Sequence, residues 1–161
     1  MTAQLDVLVQ LDKGRELRAG GNRQWVRIEP ATGAKDFSLL EGEIGVGGGV
    51  FPHRHRTYEE AFYVLSGELE FRVGEEHVAG ASGASLFVPP GVVHAFRNRS
   101  AAPARLLVIH SPASAIGMID ELSAIGAPDP ARAAEIMRRH DSESVPTEGW
   151  LPTPARPPAG R

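Results

Sequence analysis

Short runs of alternating and β-branched residues fill the middle of the chain. Glu68–Val73 alternates strictly, so Leu69, Phe71 and Val73 are expected to face a core while the charged residues between them face water. Glycine and proline punctuate this region. The predicted strands are Gln24–Glu29, Phe37–Ile44, Ala61–Leu65, Glu68–Val73, Ser85–Val88, Val92–Asn98 and Arg105–His110. Strands this short and closely spaced predict an all-β fold, an antiparallel sandwich or barrel.

The pattern becomes helical after residue 111. Ser111-Pro112 and Asp129-Pro130 each resemble a helix start, with a capping side chain before a proline. Apolar residues at helical spacing follow both starts, so two α-helices are expected to pack on the barrel. A proline-rich tail then follows, which is expected to be disordered because it cannot bury enough apolar surface. The expected organisation is an N-terminal arm at 1–22, a barrel at 23–112, two helices at 113–145 and the tail at 146–161.

Composition and charge narrow the classes of function. The chain has 161 residues, of which 42% are apolar and 23% charged, with a net charge of −3 and no cysteine. These values predict one globular domain without disulfides or thiolate ligands, and without the basic patch that nucleic acids or anionic membranes require. The N-terminal residues do not read as a signal peptide, and no apolar run reaches membrane-spanning length. A cytoplasmic protein is therefore expected.

Three histidines and one glutamate have the pattern of a metal site. His53 and His55 alternate on a strand, so both side chains point to one face, about 7 Å apart. Glu60 begins the next strand, and His94 follows a rigid Pro-Pro-Gly turn in a distant segment. Imidazole and carboxylate suit one divalent ion of Fe, Mn, Ni, Co, Cu or Zn, with coordination positions left open for a substrate. Spacing alone leaves open the alternative that the histidines are ordinary surface residues.

Two motifs in the sequence resemble those of a known family. They are Gly47-x5-His53-x-His55-x4-Glu60-x6-Gly67 and Gly83-x5-Pro89-x-Gly91-x2-His94-x3-Asn98. Both are similar to the motifs of the cupin superfamily, and residues 23–112 resemble its small single-domain bacterial members of the quercetin dioxygenase-like type. The resemblance implies a jelly-roll β-barrel of two antiparallel sheets and a homodimer. It also implies that the four residues of the metal pattern bind one metal ion.

Strand alternation suggests which side chains line the barrel interior near the metal. Phe51 is expected to share the face of His53 and His55. Phe62 and Val64 are expected to share a face with Glu60, and Phe96 and Asn98 with His94, while Tyr58 lies beside the motif. The expected lining residues are Phe51, Tyr58, Phe62, Val64, Phe96 and Asn98. A largely apolar interior around a polar metal is typical of small-molecule sites.

Four residues beside the motifs have no decisive pattern. Tyr58 and Glu59 either orient the metal ligands or are exposed loop residues. The sequence also leaves open whether Tyr63 orients a ligand. His110 ends the last predicted barrel strand and is expected to be a plain surface histidine.

Three functions remain open on this basis. The first is a metal-dependent dioxygenase that binds a small aromatic or enolic substrate and O2, with Glu60 as general base. The second is a non-oxidative isomerase, cyclase or lyase in which the metal acts as a Lewis acid. The third is a non-catalytic module that binds a small molecule. The sequence analysis favours the first, because the resemblance is to quercetinase-type proteins.

Overall fold

The computed structural model describes residues 14–19, 22–126, 129–145 and 149–150. The strands are β1 (Glu16–Ala19), β2 (Asn22–Ile28), β3 (Ser38–Ile44), β4 (Gly49–His55), β5 (Glu59–Ser66), β6 (Glu68–Val73), β7 (Glu76–Ala81), β8 (Ser85–Val88), β9 (His94–Arg97), β10 (Ala104–Ser111) and β11 (Ser142–Ser144). The helices are α1 (Ile116–Ser123) and α2 (Pro130–Arg139), with short 3-10 turns at Pro30–Thr32 and Ala113–Ala115.

The strands form two antiparallel sheets, which confirms the predicted all-β barrel. The six-stranded sheet has the order β1-β2-β3-β10-β5-β8, and the five-stranded sheet has the order β11-β4-β9-β6-β7. Neighbours in the sheets are often distant in sequence, because after β3 the chain crosses repeatedly from one sheet to the other. Strands β4 and β5 follow one another but lie in different sheets. Residues close in sequence can therefore face each other across the barrel.

Apolar side chains from both sheets form the core between them. Leu40 and Leu106 of the six-stranded sheet have no exposed surface. Phe62 of the same sheet meets Phe71 and Phe96 of the other, with ring centroids 5.6 Å from each. Tilted and edge-on ring pairs at this separation stabilise a core beyond the burial of their area. The aromatic cluster therefore ties the two sheets together.

Strand β4 contains a bulge that changes which side chains face inward. Val50 lies opposite Phe96 and His53 lies opposite His94, so β4 has one more residue than β9 between these pairs. An extra residue in one strand breaks the alternation of faces. The prediction that Phe51 shares the face of His53 is therefore wrong, and its side chain is 52% exposed.

The C-terminal region contains the two predicted helices and one strand that was not predicted. The Asp129 side chain caps α2 by accepting a hydrogen bond from the Arg132 backbone N–H at 2.9 Å. After α2 the chain returns to the barrel as β11, which pairs with β4 and places Ser142 opposite His55. Within the described residues, neither helix is long and apolar enough to cross a membrane.

Trp150 packs against the barrel, although the tail that contains it was expected to be disordered. Its side chain is only 2% exposed, and its indole N–H donates to the Val50 carbonyl oxygen at 3.3 Å. The Arg97 guanidinium lies 4.1 Å from the ring centroid, and His77 contacts the ring edge. The burial of the indole and its contacts with Arg97 and His77 offset the conformational entropy that this residue loses when it is fixed. Residues 146–148 and 151–161 of the predicted tail lie outside the described residues.

The N-terminal arm expected at 1–22 also contributes to the barrel. β1 pairs with β2 and extends the six-stranded sheet, with Leu17 opposite Gln24. Leu17 is buried in the main core, which explains why this segment joins the sheet. Residues 1–13 and 20–21 lie outside the described part of the chain.

Candidate metal centre

The four residues of the predicted metal pattern converge inside the barrel. His53, His55, Glu60 and His94 are all buried, and one ligand atom from each lies within 4.8 Å of all the others. β4 carries the first two, and its register with β9 sets His94 directly opposite His53. Glu60 arrives from β5 in the other sheet. The cluster therefore bridges the two sheets at one end of the barrel.

Two of the histidines are oriented by carbonyl groups two residues earlier in their own chain segments. His53 Nδ1 lies 2.8 Å from the Phe51 carbonyl oxygen, and His94 Nδ1 lies 3.0 Å from the Val92 carbonyl oxygen. A carbonyl oxygen only accepts, so each Nδ1 carries the hydrogen. Each Nε2 then points toward the centre of the cluster, where its lone pair could bind a metal ion. This is the usual arrangement of metal-binding histidines, whose second nitrogen is held by a hydrogen bond.

His55 is held by the C-terminal strand and by an aromatic ring. Its Nδ1 lies 2.8 Å from Ser142 Oγ on β11. The Tyr58 ring stacks on the imidazole with centroids 4.0 Å apart and an interplanar angle of 21°. Tyr58 is 5% exposed, and its hydroxyl lies 3.1 Å from the same Ser142 Oγ. Of the two alternatives left open for Tyr58, the structure shows the buried one, in which Tyr58 contacts the metal-ligand candidate His55 directly.

The Glu60 carboxylate sits at the centre of the cluster. Its Oε2 lies 2.7 Å from His94 Nε2 and 3.0 Å from His55 Nε2, and its Oε1 lies 3.2 Å from His110 Nε2. Burial raises the pKa of this carboxyl group, but hydrogen bonds and charge from His110, with further hydrogen bonds from the other two histidines, lower it well below its usual range. Glu60 is therefore ionised at neutral pH and is available as an anionic ligand.

The ring pKa values differ because the three histidines face the carboxylate differently. Burial lowers the pKa of His53 well below its ordinary value, and burial also lowers that of His55 despite its contact with Glu60. Burial acts in the same direction on His94, but the hydrogen bond and charge of Glu60 outweigh it and raise the His94 pKa. His53 and His55 are thus neutral, which is the state that binds a metal.

The donor set fits a divalent transition-metal ion. Three imidazole Nε2 atoms and one carboxylate oxygen converge in a buried space, and hydrogen bonds made by the three Nδ1 atoms direct the lone pairs inward. His94 Nε2 and Glu60 Oε2 lie 2.7 Å apart, a contact that a hydrogen bond makes here and that a shared metal ion would replace. Nitrogen-rich sets of this kind suit Mn, Fe, Co, Ni, Cu or Zn better than Mg or Ca. Four protein ligands leave room for a substrate on the ion.

His110 belongs to this site, and the prediction that it is a surface histidine is wrong. It is 1% exposed and lies opposite Glu60 in the pairing of β10 with β5. The signal was present in the sequence, because Leu106, Val108 and His110 alternate along one strand and the first two are core residues. The alternation along this strand places His110 inside the barrel. It does not show that His110 lies beside Glu60, which depends on the pairing of two strands.

Other residues near the motifs lie away from the cluster. Glu59 is exposed and Tyr63 is 44% exposed, since both point outward from β5. Asn98 is buried, and its side chain stabilises a turn. Its side-chain amide donates to the carbonyl oxygens of Ile44 at 2.9 Å and Ala102 at 2.8 Å. The contacts of Asn98 are therefore structural, whereas the sequence analysis expected it to line the substrate pocket.

Of the remaining predicted lining residues, Phe62 lies beside a metal-ligand candidate, and Phe96 and Val64 belong to the core around it. Phe62 has its ring centroid 6.3 Å from that of His94, and Phe96 packs edge-on against Phe62. Val64 is 1% exposed in the same core. The other side of Phe62 lines a small cleft between β7 and β8, together with Phe71 and residues 78–80 and 84–86. Phe62 therefore separates this cleft from the metal ligands.

Comparison with known proteins identifies the barrel. The family model "Cupin domain" matches residues 40–110. A curated relative, tetracenomycin polyketide synthase protein TcmJ of Streptomyces glaucescens, is 29% identical over 116 residues, which cover 72% of this chain and 78% of the relative.

Solved structures agree with this match. The polyketide cyclase RemF from Streptomyces resistomycificus is 28% identical with a TM-score of 0.53, covering 66% of this chain and 74% of that one. A predicted oxalate decarboxylase from Thermotoga maritima has a TM-score of 0.60 at 18% identity, covering 65% of this chain and 98% of that one, and shows the fold alone. The family match and the two-sheet barrel coincide, so residues 40–110 of this chain form a cupin domain.

Proposed function

We propose that this protein is a metal-dependent enzyme that holds one divalent transition-metal ion with His53, His55, Glu60 and His94. The observation that carries the proposal is the inward orientation of three imidazole Nε2 atoms around one buried carboxylate. A buried cluster of this kind costs free energy unless its groups are compensated by a cation or hydrogen bonds. Metal binding gives the cluster a compensating charge.

The reaction class that we propose is a non-oxidative conversion of an enolisable carbonyl compound, such as a ring closure of a polyketone. Support comes from the two relatives at 28% and 29% identity, one named as a polyketide cyclase and the other as a polyketide synthase protein. The apolar wall of Phe62 and Phe96 suits an aromatic or aliphatic substrate better than a charged one. The dioxygenase that the sequence analysis favoured stays a prediction, and the test below includes it.

Glu60 would move the proton in such a reaction, and His110 would position Glu60. A bound divalent ion would polarise a substrate oxygen as a Lewis acid. The ionised Glu60 carboxylate would accept a proton from the carbon next to that carbonyl group. His110 Nε2, 3.2 Å from Glu60 Oε1, holds the carboxylate in place by a hydrogen bond. Phe62 and Phe96 would exclude water from the reacting carbon.

Metal content provides the primary test. Purified wild-type protein and a His94→Ala variant would be loaded with Zn²⁺ or Co²⁺, desalted and analysed for bound metal. We expect about one equivalent in the wild type and a loss of most of it in His94→Ala, because a rigid strand then lacks one ligand. His77→Ala is the matched control, since His77 lies on the exposed face of β7. Absence of stoichiometric metal in the wild type would contradict the proposal.

A second experiment separates the reaction classes. Metal-loaded protein would be incubated in D₂O with a panel of aryl ketones and flavonols, with and without O₂. Deuterium exchange or cyclisation without O₂, lost in Glu60→Gln, is the expected result. Oxygen consumption would favour the dioxygenase, and saturable binding without turnover would favour a binding module.

We also propose that the protein forms a homodimer through the outer face of the six-stranded sheet. Leu39, Ile109, Ala61 and Phe87 lie in register across four neighbouring strands of that face, and Phe87 is 56% exposed. A continuous apolar row on a sheet surface is typical of an interaction site. Phe87→Glu is expected to shift the mass in light scattering from dimer to monomer. Val78→Glu, on an edge strand of the other sheet, is the control.

A further inference from the structure

His55 differs from the other two histidine ligands in what orients it. His53 and His94 are held by carbonyl groups two residues earlier in their own chain segments. His55 Nδ1 is held by the hydroxyl of Ser142, which lies on β11 after both C-terminal helices. The orientation of this one ligand therefore depends on a segment outside residues 40–110, the part matched by the family model.

The hydrogen bonds around Ser142 fix the direction of its contact with His55. Ser142 has one hydroxyl hydrogen, which it donates to the His140 carbonyl oxygen at 3.0 Å. Its oxygen is then an acceptor toward its other neighbours, His55 Nδ1 at 2.8 Å and the Tyr58 hydroxyl at 3.1 Å. His55 Nδ1–H can then donate to this oxygen, which leaves the Nε2 lone pair for a metal ion, whereas the alternative Nε2–H tautomer would donate to Glu60 Oε2 at 3.0 Å.

The surroundings of Ser142 prevent water from taking over this role. Ser142 is 2% exposed and His55 is 3% exposed. The Tyr58 ring covers one face of the imidazole, and Met118 of α1 contacts the Tyr58 hydroxyl. The pairing of β11 with β4 sets Ser142 opposite His55, so the two side chains meet from neighbouring strands.

We propose that Ser142 is a positioning residue that selects the metal-binding tautomer of His55, and that β11 is thereby an integral part of the metal centre. This proposal rests on the metal site of the proposed function. Without the Ser142 oxygen, the hydrogen can move to His55 Nε2, which lies 3.0 Å from Glu60 Oε2 and would donate to it. That tautomer has no lone pair for a metal, so affinity falls.

Metal affinity of matched variants tests the proposal. Co²⁺ and Zn²⁺ would be titrated into metal-free, full-length wild type, Ser142→Ala and Ser144→Ala. We expect Ser142→Ala to bind about 10- to 100-fold more weakly, as is usual for loss of a group that orients a ligand. Ser144→Ala removes a hydroxyl from the same strand, where the hydroxyl contacts Met137 instead of a metal ligand. It should bind within about twofold of wild type, and Ser142→Thr should restore most of the affinity.

A spectroscopic measurement separates orientation from general stability. Nitrogen-15 NMR of the metal-free proteins reports which ring nitrogen of His55 carries hydrogen. We expect Nδ1–H in wild type, Ser144→Ala and Tyr58→Phe, which keeps the stacked ring and the Ser142 oxygen. Ser142→Ala should show the Nε2–H form with its circular dichroism spectrum unchanged.

The outcomes are distinguishable. If wild type binds metal and Ser142→Ala binds equally well with Nδ1–H retained, the positioning role is refuted while the metal site stands. If wild type binds no metal, the proposed function fails, and the NMR comparison still decides whether Ser142 selects the tautomer. If Ser142→Ala does not fold, Ser142→Thr and Tyr58→Phe carry the same comparison, and an Nε2–H form in Ser142→Thr would refute the proposal.

Discussion

Replacing His110 with leucine would remove the hydrogen-bond donor next to Glu60 Oε1 and keep an apolar side chain of similar size. In wild type, His110 Nε2 lies 3.2 Å from that oxygen and both side chains are buried. Hydrogen bonds to buried charged groups contribute about 1.5–3 kcal/mol, and an unpaired carboxylate loses this contribution without gaining water. We therefore expect the metal-free His110→Leu variant to lose about 2 kcal/mol of stability.

This loss is large enough to measure by standard methods. For a chain of this length, about 2 kcal/mol corresponds to a decrease in Tm of about 4–8 °C. Scanning calorimetry and urea denaturation at pH 7 on the metal-free protein would measure both quantities. His110→Gln keeps an N–H donor at the same position and should recover part of the loss.

A control makes the result specific to the Glu60 contact. His77→Leu removes a half-exposed histidine that contacts Glu70, and leucine keeps an apolar side chain against the edge of the Trp150 ring. Surface substitutions of this kind usually change stability by less than about 0.5 kcal/mol. A His110→Leu variant as stable as His77→Leu would refute the argument that His110 compensates the buried Glu60 carboxylate.

Three further predictions concern the barrel around the site. Hydrogen bonds from Arg97 lower the pKa of Glu70 from 4.5 to about 2, so its stabilising effect is complete above pH 4.5 and is lost as the pH falls toward 2. The difference in unfolding free energy between wild type and Glu70→Gln should shrink over that range, and a constant difference would contradict this. Trp150→Ala should destabilise the protein by about 3 kcal/mol in urea, and an unchanged midpoint would show that the packed indole contributes nothing. Phe62→Ala should cost about 3–5 kcal/mol, against less than about 0.5 for the exposed Phe51→Ala, and equal effects would contradict the core assignment.

The amino-acid sequence by itself determined the fold class and the four metal-binding candidates. Alternation in segments such as Glu68–Val73 depends only on the two-residue period of a strand, which is a local property. The spacing of the two motifs also lies along the chain, so His53, His55, Glu60 and His94 could be named without knowing where the strands lie. The start of α2 followed from Asp129 and Pro130, which act within one turn. The start predicted at Ser111-Pro112 is wrong, because Ser111 ends β10 and α1 begins at Ile116 without a side-chain cap.

Tertiary structure decided the features that depend on contacts between strands. The bulge in β4 turns Phe51 outward, and alternation cannot reveal an extra residue that is defined only by the register of a partner strand. His110 meets Glu60 because β10 lies beside β5, and Ser142 meets His55 because β11 returns to β4. Sequence periodicity reports the face of a strand that a residue occupies, whereas strand order and register decide which side chain it meets there.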